Sequence, residues 1–514
     1  MRRLALPISL LVLVLAAAPA NARRTHGPTG TTPLPRLHAE RGSDPAIVTS
    51  DGRQVLLRGV NVNQLGDYWQ QNPTLPPTVP LTAADFAGIH ALGMNVVRLL
   101  VHWSKLEPQR GVFDATYIER IRTAVAMARR QGIYVVLDMH QDAWGKYIAS
   151  PKDETCAPGF SHQQGWDGAP QWATITDGLP TCRFQIREVA PAVGQSWQNF
   201  YADRDGIETE LVDAWAHLAK AFAPDPAVAG YDLLNEPNPG YGPGAEDATT
   251  LGIYYKRAIA AIRAAESSVR GGFRHVVFFE PGAIWSAATV DATPPPPLID
   301  DPDAVFAPHL YGGSISADQS FGGVFSIENG FQFADATARE YQTTVWDGEW
   351  GWFGDPKADQ PKIADYAKQE DAHRWGGAWW DWKQACGDPH QFSDGDDTTP
   401  GEISPSLNRF HCPDQTDLGI PATTKRILAR PYVRFAPGRL TSLSSDPETE
   451  TASAKGSDAD PSGSCRVELW VPDVGQPQPA YSGTNLTRLA VSATTGGWVV
   501  SACARGDWTL RPVR

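Results

Sequence analysis

The sequence predicts an α/β fold, a (β/α)8 TIM barrel followed by a small C-terminal β-sandwich, and three observations support this prediction. The chain has 514 residues, enough for one large and one small domain. Apolar runs of strand length alternate with helical patterns, as they do in parallel βα units. After about Arg430 the alternation gives way to short runs rich in Ser, Thr, Gly and Pro, typical of a small all-β domain.

Eight apolar runs are predicted to be barrel strands, because eight βα units close into one barrel. They are residues 55–60, 96–101, 134–139, 228–234, 276–280, 305–310, 344–348 and 377–380. The clearest predicted helices between them are 117–131, 209–223, 251–265 and 362–375. In the second domain, strands are predicted at 466–471, 486–492 and 498–502.

The N-terminus predicts a secretory signal. Two arginines precede an apolar stretch over 4–18 and the small residues at 20–22, the three parts of a cleavable signal peptide. A membrane anchor is disfavoured, since a span needs about 20 apolar residues. We therefore expect a secreted, extracellular protein. The predicted domains are a signal peptide at 1–22, a flexible leader at 23–37, the barrel at 38–430 and the β-sandwich at 431–514.

Charge and cysteine content restrict the partners and the compartment. The formal net charge is −14, which disfavours binding to nucleic acid or to an anionic membrane. Six cysteines in an exported chain predict disulfides. A zinc site is disfavoured because no Cys-x-x-Cys or His-x-x-x-His spacing occurs. Other connectivities are open, but neighbours along the chain suggest Cys156 with Cys182, Cys386 with Cys412, and Cys465 with Cys503.

Two glutamates, Glu236 and Glu349, each close an apolar run of strand character. Glu236 stands in Asn-Glu-Pro after the predicted fourth strand, and Glu349 follows Gly348 among aromatic residues. Glycoside hydrolysis needs two carboxyl groups flanking one bond, and strand ends on a barrel hold such groups rigidly. A single glutamate at a strand end is more often a solvated or capping group. The pair, rather than either residue alone, therefore predicts a glycosidase.

Arg98 interrupts an apolar run, where a buried cation needs a carboxylate partner. Glu349 is the expected partner. A guanidinium there should hold Glu349 ionised and lower its pKa. Glu236, in a drier and more aromatic setting, is expected to keep its proton. The two carboxyl groups would then serve as one base and one acid.

Further polar residues follow other predicted strands. His140 and Asp142 follow the third strand, and His309 and Tyr311 end the sixth. Taken singly, each histidine is more often a satisfied structural residue. In one ring of strand ends, however, all four are expected to bind substrate. Tyr311 is expected to donate a hydrogen bond to Glu349.

Asn235 is expected to hold the sugar 2-hydroxyl, a contact that strengthens in an oxocarbenium-like transition state. Trp172 lies in a long insertion after the third strand, and loops after barrel strands lie on the catalytic face. Trp172 and Trp380 are therefore candidate stacking faces for a sugar, although either could belong to the core. Residues 394–397, Asp-Gly-Asp-Asp, favour a solvated turn over a calcium site, because regular ligand spacing is missing.

The chain resembles glycoside hydrolase family 5. The motifs that carry the resemblance are Arg98, His140, Asn235-Glu236-Pro237, His309-Leu-Tyr311, Glu349 and Trp380. Asp-Met-His-Gln-Asp at 138–142, Gly-Ala-Pro-Gln-Trp at 168–172 and the added β domain are most similar to secreted endoglycoceramidases and endogalactosylceramidases. The resemblance implies Glu236 as acid/base, Glu349 as nucleophile, and cleavage between the glycan and the ceramide of glycosphingolipids. It also implies an apolar ceramide groove, for which 321–325 and 350–353 are candidates.

The sequence is compatible with more than one substrate. The loop at 63–69 contains no lysine, which leaves the preferred glycan undecided. An endo-β-glucanase acting on polysaccharide would use the same two glutamates. A non-catalytic carbohydrate-binding protein is disfavoured, because it would lack one of them. We expect a monomer that needs no metal or other cofactor and that makes transient contact with a lipid surface.

Overall fold

The structure is a computed structural model. It describes residues 33–70, 72–288, 291–314, 326–352, 355–390, 406–457 and 463–513. The predicted signal peptide, most of the predicted leader and the acidic turn at 394–397 lie outside the described residues. The groove candidates at 321–325 and Phe353 also lie outside them.

Strands and helices alternate through the barrel, and strands dominate the C-terminal part. In chain order the strands are β1 (Leu37–Glu40), β2 (Ala46–Thr49), β3 (Arg53–Val55), β4 (Arg58–Val62), β5 (Val96–His102), β6 (Tyr134–His140), β7 (Val228–Asp232), β8 (Val276–Phe279), β9 (Ala304–Phe306), β10 (Trp346–Trp350), β11 (Gly376–Trp379), β12 (Arg409–His411), β13 (Thr416–Gly419), β14 (Tyr432–Pro437), β15 (Arg439–Asp446), β16 (Thr451–Ser457), β17 (Arg466–Pro472), β18 (Tyr481–Thr494) and β19 (Gly497–Pro512). The α-helices are α1 (Ala83–Ala91), α2 (Trp103–Leu106), α3 (Ala115–Arg130), α4 (Pro191–Tyr201), α5 (Ile207–Phe222), α6 (Ala245–Ser268), α7 (Ala283–Ala288), α8 (Ile327–Glu340), α9 (Pro356–His373) and α10 (Ala422–Leu428). Short 3-10 turns lie at Gln171–Ala173, Arg187–Val189, Arg204–Gly206 and Pro296–Leu298.

Strands β4 to β11 form the barrel. Each pairs in parallel with its neighbour, and β11 pairs back onto β4. Two isolated parallel bridges, Phe306 with Val345 and His309 with Glu349, join β9 to β10 and close the ring. The predicted fold class is thus confirmed. Because all eight strands run in parallel, their carboxyl ends open at one face, where loops can build a site.

Helix α3 shows how the helical pattern becomes structure. Its apolar side chains recur at helical spacing and are buried, while the charged ones face solvent. Asp114 caps the N-terminus by accepting hydrogen bonds from the backbone N–H groups of Thr116 and Tyr117. Arg129 and Arg130 occupy the last turn, where cations favour the helix dipole. The other three predicted helices are present as α5, α6 and α9, with ends shifted by a few residues.

A second, antiparallel sheet of nine strands draws on both ends of the described chain. Its order runs β1-β2-β3-β14-β17-β19-β16-β15, with β18 paired to β19. The prediction of one barrel strand over 55–60 is wrong, because Val55 pairs with Phe435 of β14 and only Arg58 begins the barrel strand. The sheet has an apolar core of its own, which includes Trp470 and Trp508.

Gly93 is a point of contact between barrel and second sheet. It follows α1 with φ of 80°. Its carbonyl accepts hydrogen bonds from the Tyr432 hydroxyl at 3.0 Å and from Arg434 Nη2 at 2.7 Å. A Cβ added at Gly93 would stand 2.1 Å from Trp470 Nε1. This position therefore needs glycine both for its backbone and for its neighbour.

The three predicted disulfides are confirmed, at Cys156–Cys182, Cys386–Cys412 and Cys465–Cys503. The first closes part of the insertion after β6, the second follows β11, and the third joins the start of β17 to β19. Within the part of the chain that the structure describes, no helix has the length and apolar character needed to span a membrane.

Gly93→Ala should destabilise the protein by about 3 kcal/mol, because it adds a clash with Trp470 to the strain of a left-handed backbone. Gly132→Ala is the matched control: it also follows a helix, with φ of 71°, but a Cβ there meets nothing within 4 Å. The control should cost only about 1 kcal/mol. Thermal melting of both variants tests this, and equal Tm losses would contradict the packing argument.

Candidate active site

The two glutamates stand together at the carboxyl face of the barrel. Glu349 lies in β10 and is buried, whereas the Glu236 side chain, just after β7, is 21% exposed. Glu236 adopts φ of 39°, a left-handed conformation that few non-glycine residues take. A carboxylate oxygen from each glutamate and a ring nitrogen of His309 all lie within 4.8 Å of one another. The two strand ends that the sequence pairs are therefore close together in the structure.

Arg98 lies beneath them with its side chain completely buried. The predicted contact with Glu349 is present, with Arg98 Nη1 2.6 Å from Glu349 Oε1. The guanidinium also contacts three further carboxylates that the sequence analysis did not assign to it: Asp138 at 2.9 Å, Asp232 at 2.8 Å and Glu280 at 2.8 Å. One cation is thus shared among four carboxyl groups.

Sharing one cation leaves this group short of positive charge. Burial raises the pKa of Asp138 to about 7 and that of Asp232 to about 6, although the charge of Arg98 opposes the rise. Burial likewise raises the pKa of Glu280 to about 8, against the charge of His309. The cluster therefore retains protons near neutral pH, because ionising every member would leave uncompensated buried charge.

His309 bridges the two glutamates. Its Nδ1 lies 2.9 Å from Glu236 Oε1 and 3.6 Å from Glu349 Oε2, while Nε2 lies 3.2 Å from Glu280. Burial lowers the pKa of His309, but the surrounding carboxylates outweigh burial and raise the pKa well above its usual value. The ring is therefore an imidazolium that faces carboxylates through both nitrogens.

The expected pKa order of the two glutamates is wrong for the free protein. Burial raises the pKa of Glu349 to about 7, because the charges of His309 and Arg98, which both face other carboxyl groups as well, do not offset it. Burial also acts to raise the pKa of Glu236, but the hydrogen bond and charge of His309, with the charge of Arg187, lower it to about 2. Neither His309 nor Arg187 was predicted to contact Glu236.

Arg187 reaches the site from the 3-10 turn at Arg187–Val189. Its Nη2 lies 2.5 Å from Asp142 Oδ1 and 3.4 Å from Glu236 Oε2. The guanidinium lies over the ring of Trp166, 4.3 Å from its centroid. A residue of the long insertion after β6 thus contacts Glu236 directly.

A polar wall, defined by His140, Asp142, Asp167 and His390, stands beside the two glutamates. Three of these residues are buried and His390 is half-buried, and the four offer ligand atoms within 4.8 Å of one another. His140 Nε2 and both carboxylate oxygens of Asp167 have no hydrogen-bond partner among the described residues. Buried polar atoms rarely stay unpaired, so the wall is suited to bind sugar hydroxyls. Two imidazoles and two carboxylates are also a donor set for a metal ion.

Tyr311 and Asn235 both contact the central cluster. The Tyr311 hydroxyl donates to Glu349 Oε2 at 3.0 Å, as expected. Asn235 Oδ1 accepts from Arg98 Nη2 at 3.0 Å, and its Nδ2 donates to the Gln141 carbonyl at 2.9 Å. Asn235 therefore braces Arg98, and its role toward a sugar 2-hydroxyl stays a prediction.

The two candidate tryptophans differ in position. Trp380 stacks on His140, with ring centroids 5.5 Å apart, and packs with Leu100 and Tyr311 at the site. Trp172 instead packs edge-on against Trp103 and donates to the Glu107 carbonyl at 3.0 Å. None of the partners found for Trp172 contacts either glutamate.

A small apolar pocket lies beside Tyr311. Its lining includes Leu310, Ile327, Phe331 and Tyr366. The groove predicted at 350–353 is wrong for its two described tryptophans: Trp350 and Trp352 are buried, and Trp350 stacks on Tyr366 at 3.8 Å. The apolar faces of both tryptophans are therefore packed in the core and do not line a groove.

Some site residues that the sequence analysis missed do have a local signal. Asp138 and Asp232 are charged residues inside strands whose every residue is buried, and Glu280 follows an apolar strand. Arg187, Asp167 and His390 have no such signal, because they lie in long insertions without regular periodicity.

Comparison with known proteins places the chain in a family. The family model for cellulase (glycosyl hydrolase family 5) matches residues 48–385. The chain belongs to this family of glycoside hydrolases. A crystal structure of an endogalactoceramidase is 46% identical, with a TM-score of 0.86, covering 93% of this chain and 100% of that chain.

Curated relatives give a similar result. Endoglycoceramidase I of Rhodococcus hoagii (strain 103S) is 29% identical over 293 residues, which are 54% of this chain and 54% of that protein. An endoglycoceramidase of Cyanea nozakii is 27% identical over 272 residues, 46% of this chain and 50% of that protein. The chain spans about half the length of the curated relatives it matches.

Glu349→Gln should stabilise the folded protein at pH 8 but not at pH 5. With its pKa raised to about 7, Glu349 is protonated in the folded state at pH 5 and must ionise in a buried site above pH 7. Wild-type stability is therefore lost as pH rises through that pKa, and glutamine removes the loss. We expect a Tm gain of roughly 2–4 °C at pH 8.

Glu236→Gln is the matched control, and it should lower Tm at both pH values, because the pKa of Glu236 is about 2 and its ionised form is paired with His309. A Tm gain for Glu349→Gln of the same size at pH 5 and pH 8 would contradict the raised pKa of Glu349.

Proposed function

We propose that this protein is a secreted retaining endo-β-glycosidase that hydrolyses the bond between the glycan and the ceramide of glycosphingolipids. The observation that carries the proposal is the approach of Glu236 and Glu349, with carboxylate oxygens within 4.8 Å at the carboxyl face of a family 5 barrel. Retaining glycosidases hold their two carboxyl groups about 5–5.5 Å apart, whereas inverting enzymes leave about 6.5–9.5 Å for a water molecule.

Glu349 is proposed as the nucleophile. Arg98 and Tyr311 each donate to one of its oxygens, which fixes the carboxylate plane. As the glycosidic bond breaks, positive charge develops at the anomeric carbon beside Glu349 and favours its ionised form. Attack then forms a covalent glycosyl-enzyme intermediate.

Glu236 is proposed as the acid/base. In the free protein its proton is held on His309 Nδ1, across the 2.9 Å hydrogen bond to Glu236 Oε1. Transfer along that bond gives neutral His309 and a protonated Glu236, which can protonate the departing ceramide oxygen. Glu236 is then a carboxylate again and takes a proton from the water that attacks the intermediate, releasing the glycan.

The polar wall is proposed to bind the glycone. Asp142, between Arg187 and His390, can accept hydrogen bonds from sugar hydroxyls, and Asp167 offers two buried oxygens that have no hydrogen-bond partner among the described residues. A sugar whose hydroxyls hydrogen-bond to these atoms would bind much more tightly than an analogue that lacks those hydroxyls. Trp380, stacked against this wall, offers an apolar face for the sugar ring.

Two features support ceramide as the aglycone. The similar solved structure is that of an endogalactoceramidase, and two curated relatives are named endoglycoceramidase. The apolar pocket beside Tyr311 also lies next to Glu349, where a lipid chain would be shielded from water. An endo-β-glucanase remains the second candidate, because the matching family model is described as cellulase.

The three disulfides and the predicted signal at 1–22 support secretion.

One incubation tests the proposal. Wild-type protein is given detergent-dispersed galactosylceramide, glucosylceramide and lactosylceramide beside carboxymethylcellulose, and proton NMR follows the released sugar. We expect at least one glycosylceramide to be cleaved faster than the polysaccharide, with the β anomer released first. A first-formed α anomer would rule out retention. A preference for carboxymethylcellulose over every glycolipid would leave the family unchanged and remove ceramide as the aglycone.

A further inference from the structure

Exposed apolar side chains are concentrated on the insertion between β6 and α4. Phe160 is 44% exposed, Phe184 49%, Ile186 57% and Val189 50%. Large apolar residues at this exposure are unremarkable one at a time, but a group on one segment marks a surface with a partner. We call Phe160, Phe184 and Ile186 the apolar tip.

The conformation of the apolar tip is fixed by contacts within the segment. The rings of Phe160 and Phe184 lie 5.6 Å apart, and the backbones of Ser161 and Arg183 exchange hydrogen bonds at 2.9 Å. Gln185 turns the chain with φ of 61°, which places Phe184 and Ile186 on either side of the bend. The disulfide Cys156–Cys182 joins the two arms of the segment just behind the tip. Two exposed aromatic rings are thus held in place without being buried.

The tip is continuous with the active site. Arg187 directly follows Ile186, and its guanidinium contacts both Asp142 and Glu236. The next residue is also anchored, because Asn238 Nδ2 donates to the Glu188 carbonyl at 2.9 Å. A surface that touches the tip would therefore lie within a few residues of the group proposed to protonate the ceramide oxygen.

The charges near the tip indicate what kind of surface fits it. Arg187 is turned inward to Asp142 and Glu188, whereas Arg183 keeps its positive charge beside Phe184, because the Gln185 carbonyl to which it donates is neutral. The whole chain carries a formal net charge of −14. The net charge of the whole chain opposes an anionic surface, and the exposed apolar side chains of the tip favour contact with a neutral one.

We propose that the apolar tip docks on the surface of an uncharged or zwitterionic lipid bilayer that contains the substrate, with Phe160, Phe184 and Ile186 entering the interface. This inference rests on the proposed function. It adds that glycolipid is met in its membrane rather than as a dispersed molecule. Docking would hold the sugar–ceramide bond at the level of Glu236. The protein would then need to diffuse only along the bilayer surface to find its substrate.

The test compares Phe184→Ser/Ile186→Ser with Leu418→Ser/Val474→Ser. The control pair removes side chains of similar exposure, each 49% exposed, from the β12–β13 hairpin and from the turn after β17. Each protein is floated with phosphatidylcholine vesicles containing galactosylceramide and glucosylceramide. Each is also assayed on those vesicles and on a soluble aryl β-glycoside.

The tip variant should lose about tenfold or more of its vesicle binding and of its rate on vesicles, because two apolar side chains no longer enter the interface. Its rate on the aryl glycoside and its Tm should be unchanged. It should also sediment with the same mass as wild type. The control pair should behave as wild type throughout.

Four results for the tip variant would overturn docking. The first is vesicle binding equal to wild type. The second is an equal loss of rate on the aryl glycoside, which would mean site damage, and the third is a change of mass in sedimentation, which would mean that a second copy covers the tip. The fourth is a rate on vesicles equal to that of wild type when wild type also cleaves detergent-dispersed glycosylceramide, a result that leaves the proposed function standing. A wild type that cleaves no glycosylceramide in any form would instead sink the proposed function and the docking with it.

Discussion

The site depends on one buried cation, the guanidinium of Arg98. It contacts Asp138, Asp232, Glu280 and Glu349 from strands around the barrel, at distances of 2.6–2.9 Å. A barrel brings these strand ends together, but like charges at such distances repel strongly where water is excluded. Arg98 makes this arrangement possible, but its single charge does not neutralise four carboxylates. The remaining deficit of positive charge appears as the raised pKa values of the carboxyl groups.

That deficit accounts for the chemistry of the two glutamates. His309, an imidazolium between Glu236, Glu280 and Glu349, is the second cation of the site, and it lies nearer to Glu236. Two identical side chains thus differ because one is more deeply buried and the other is better paired. In the free protein the pKa of Glu349 is higher than that of Glu236, which is the reverse of what the reaction needs. Two local effects correct this order. A proton can pass from His309 to Glu236, and charge developing on the sugar favours ionised Glu349.

Much of the fold and part of the site could be predicted from the sequence, since the barrel strands are apolar runs and function collects at their ends. The placement of Glu236, Glu349, Arg98, His309 and Tyr311 at one end of the barrel was predicted in this way. The pKa order was not, because it depends on which cation faces which carboxylate. Contacts such as Arg187 with Glu236 join an irregular insertion to a strand end, and no period in the sequence records them. The same limit explains Val55, whose apolar run is split between two sheets.

The central claim is that Glu349 forms a covalent bond to the sugar while Glu236 handles the proton. The most direct measurement uses a 2-deoxy-2-fluoro aryl β-glycoside, which slows hydrolysis of the intermediate, followed by mass spectrometry of the proteolysed protein. The account predicts that the fluoroglycosyl group is attached to the peptide containing Glu349, and that Glu349→Gln is not labelled. Attachment to the peptide containing Glu236, or inactivation without any attached sugar, would contradict it.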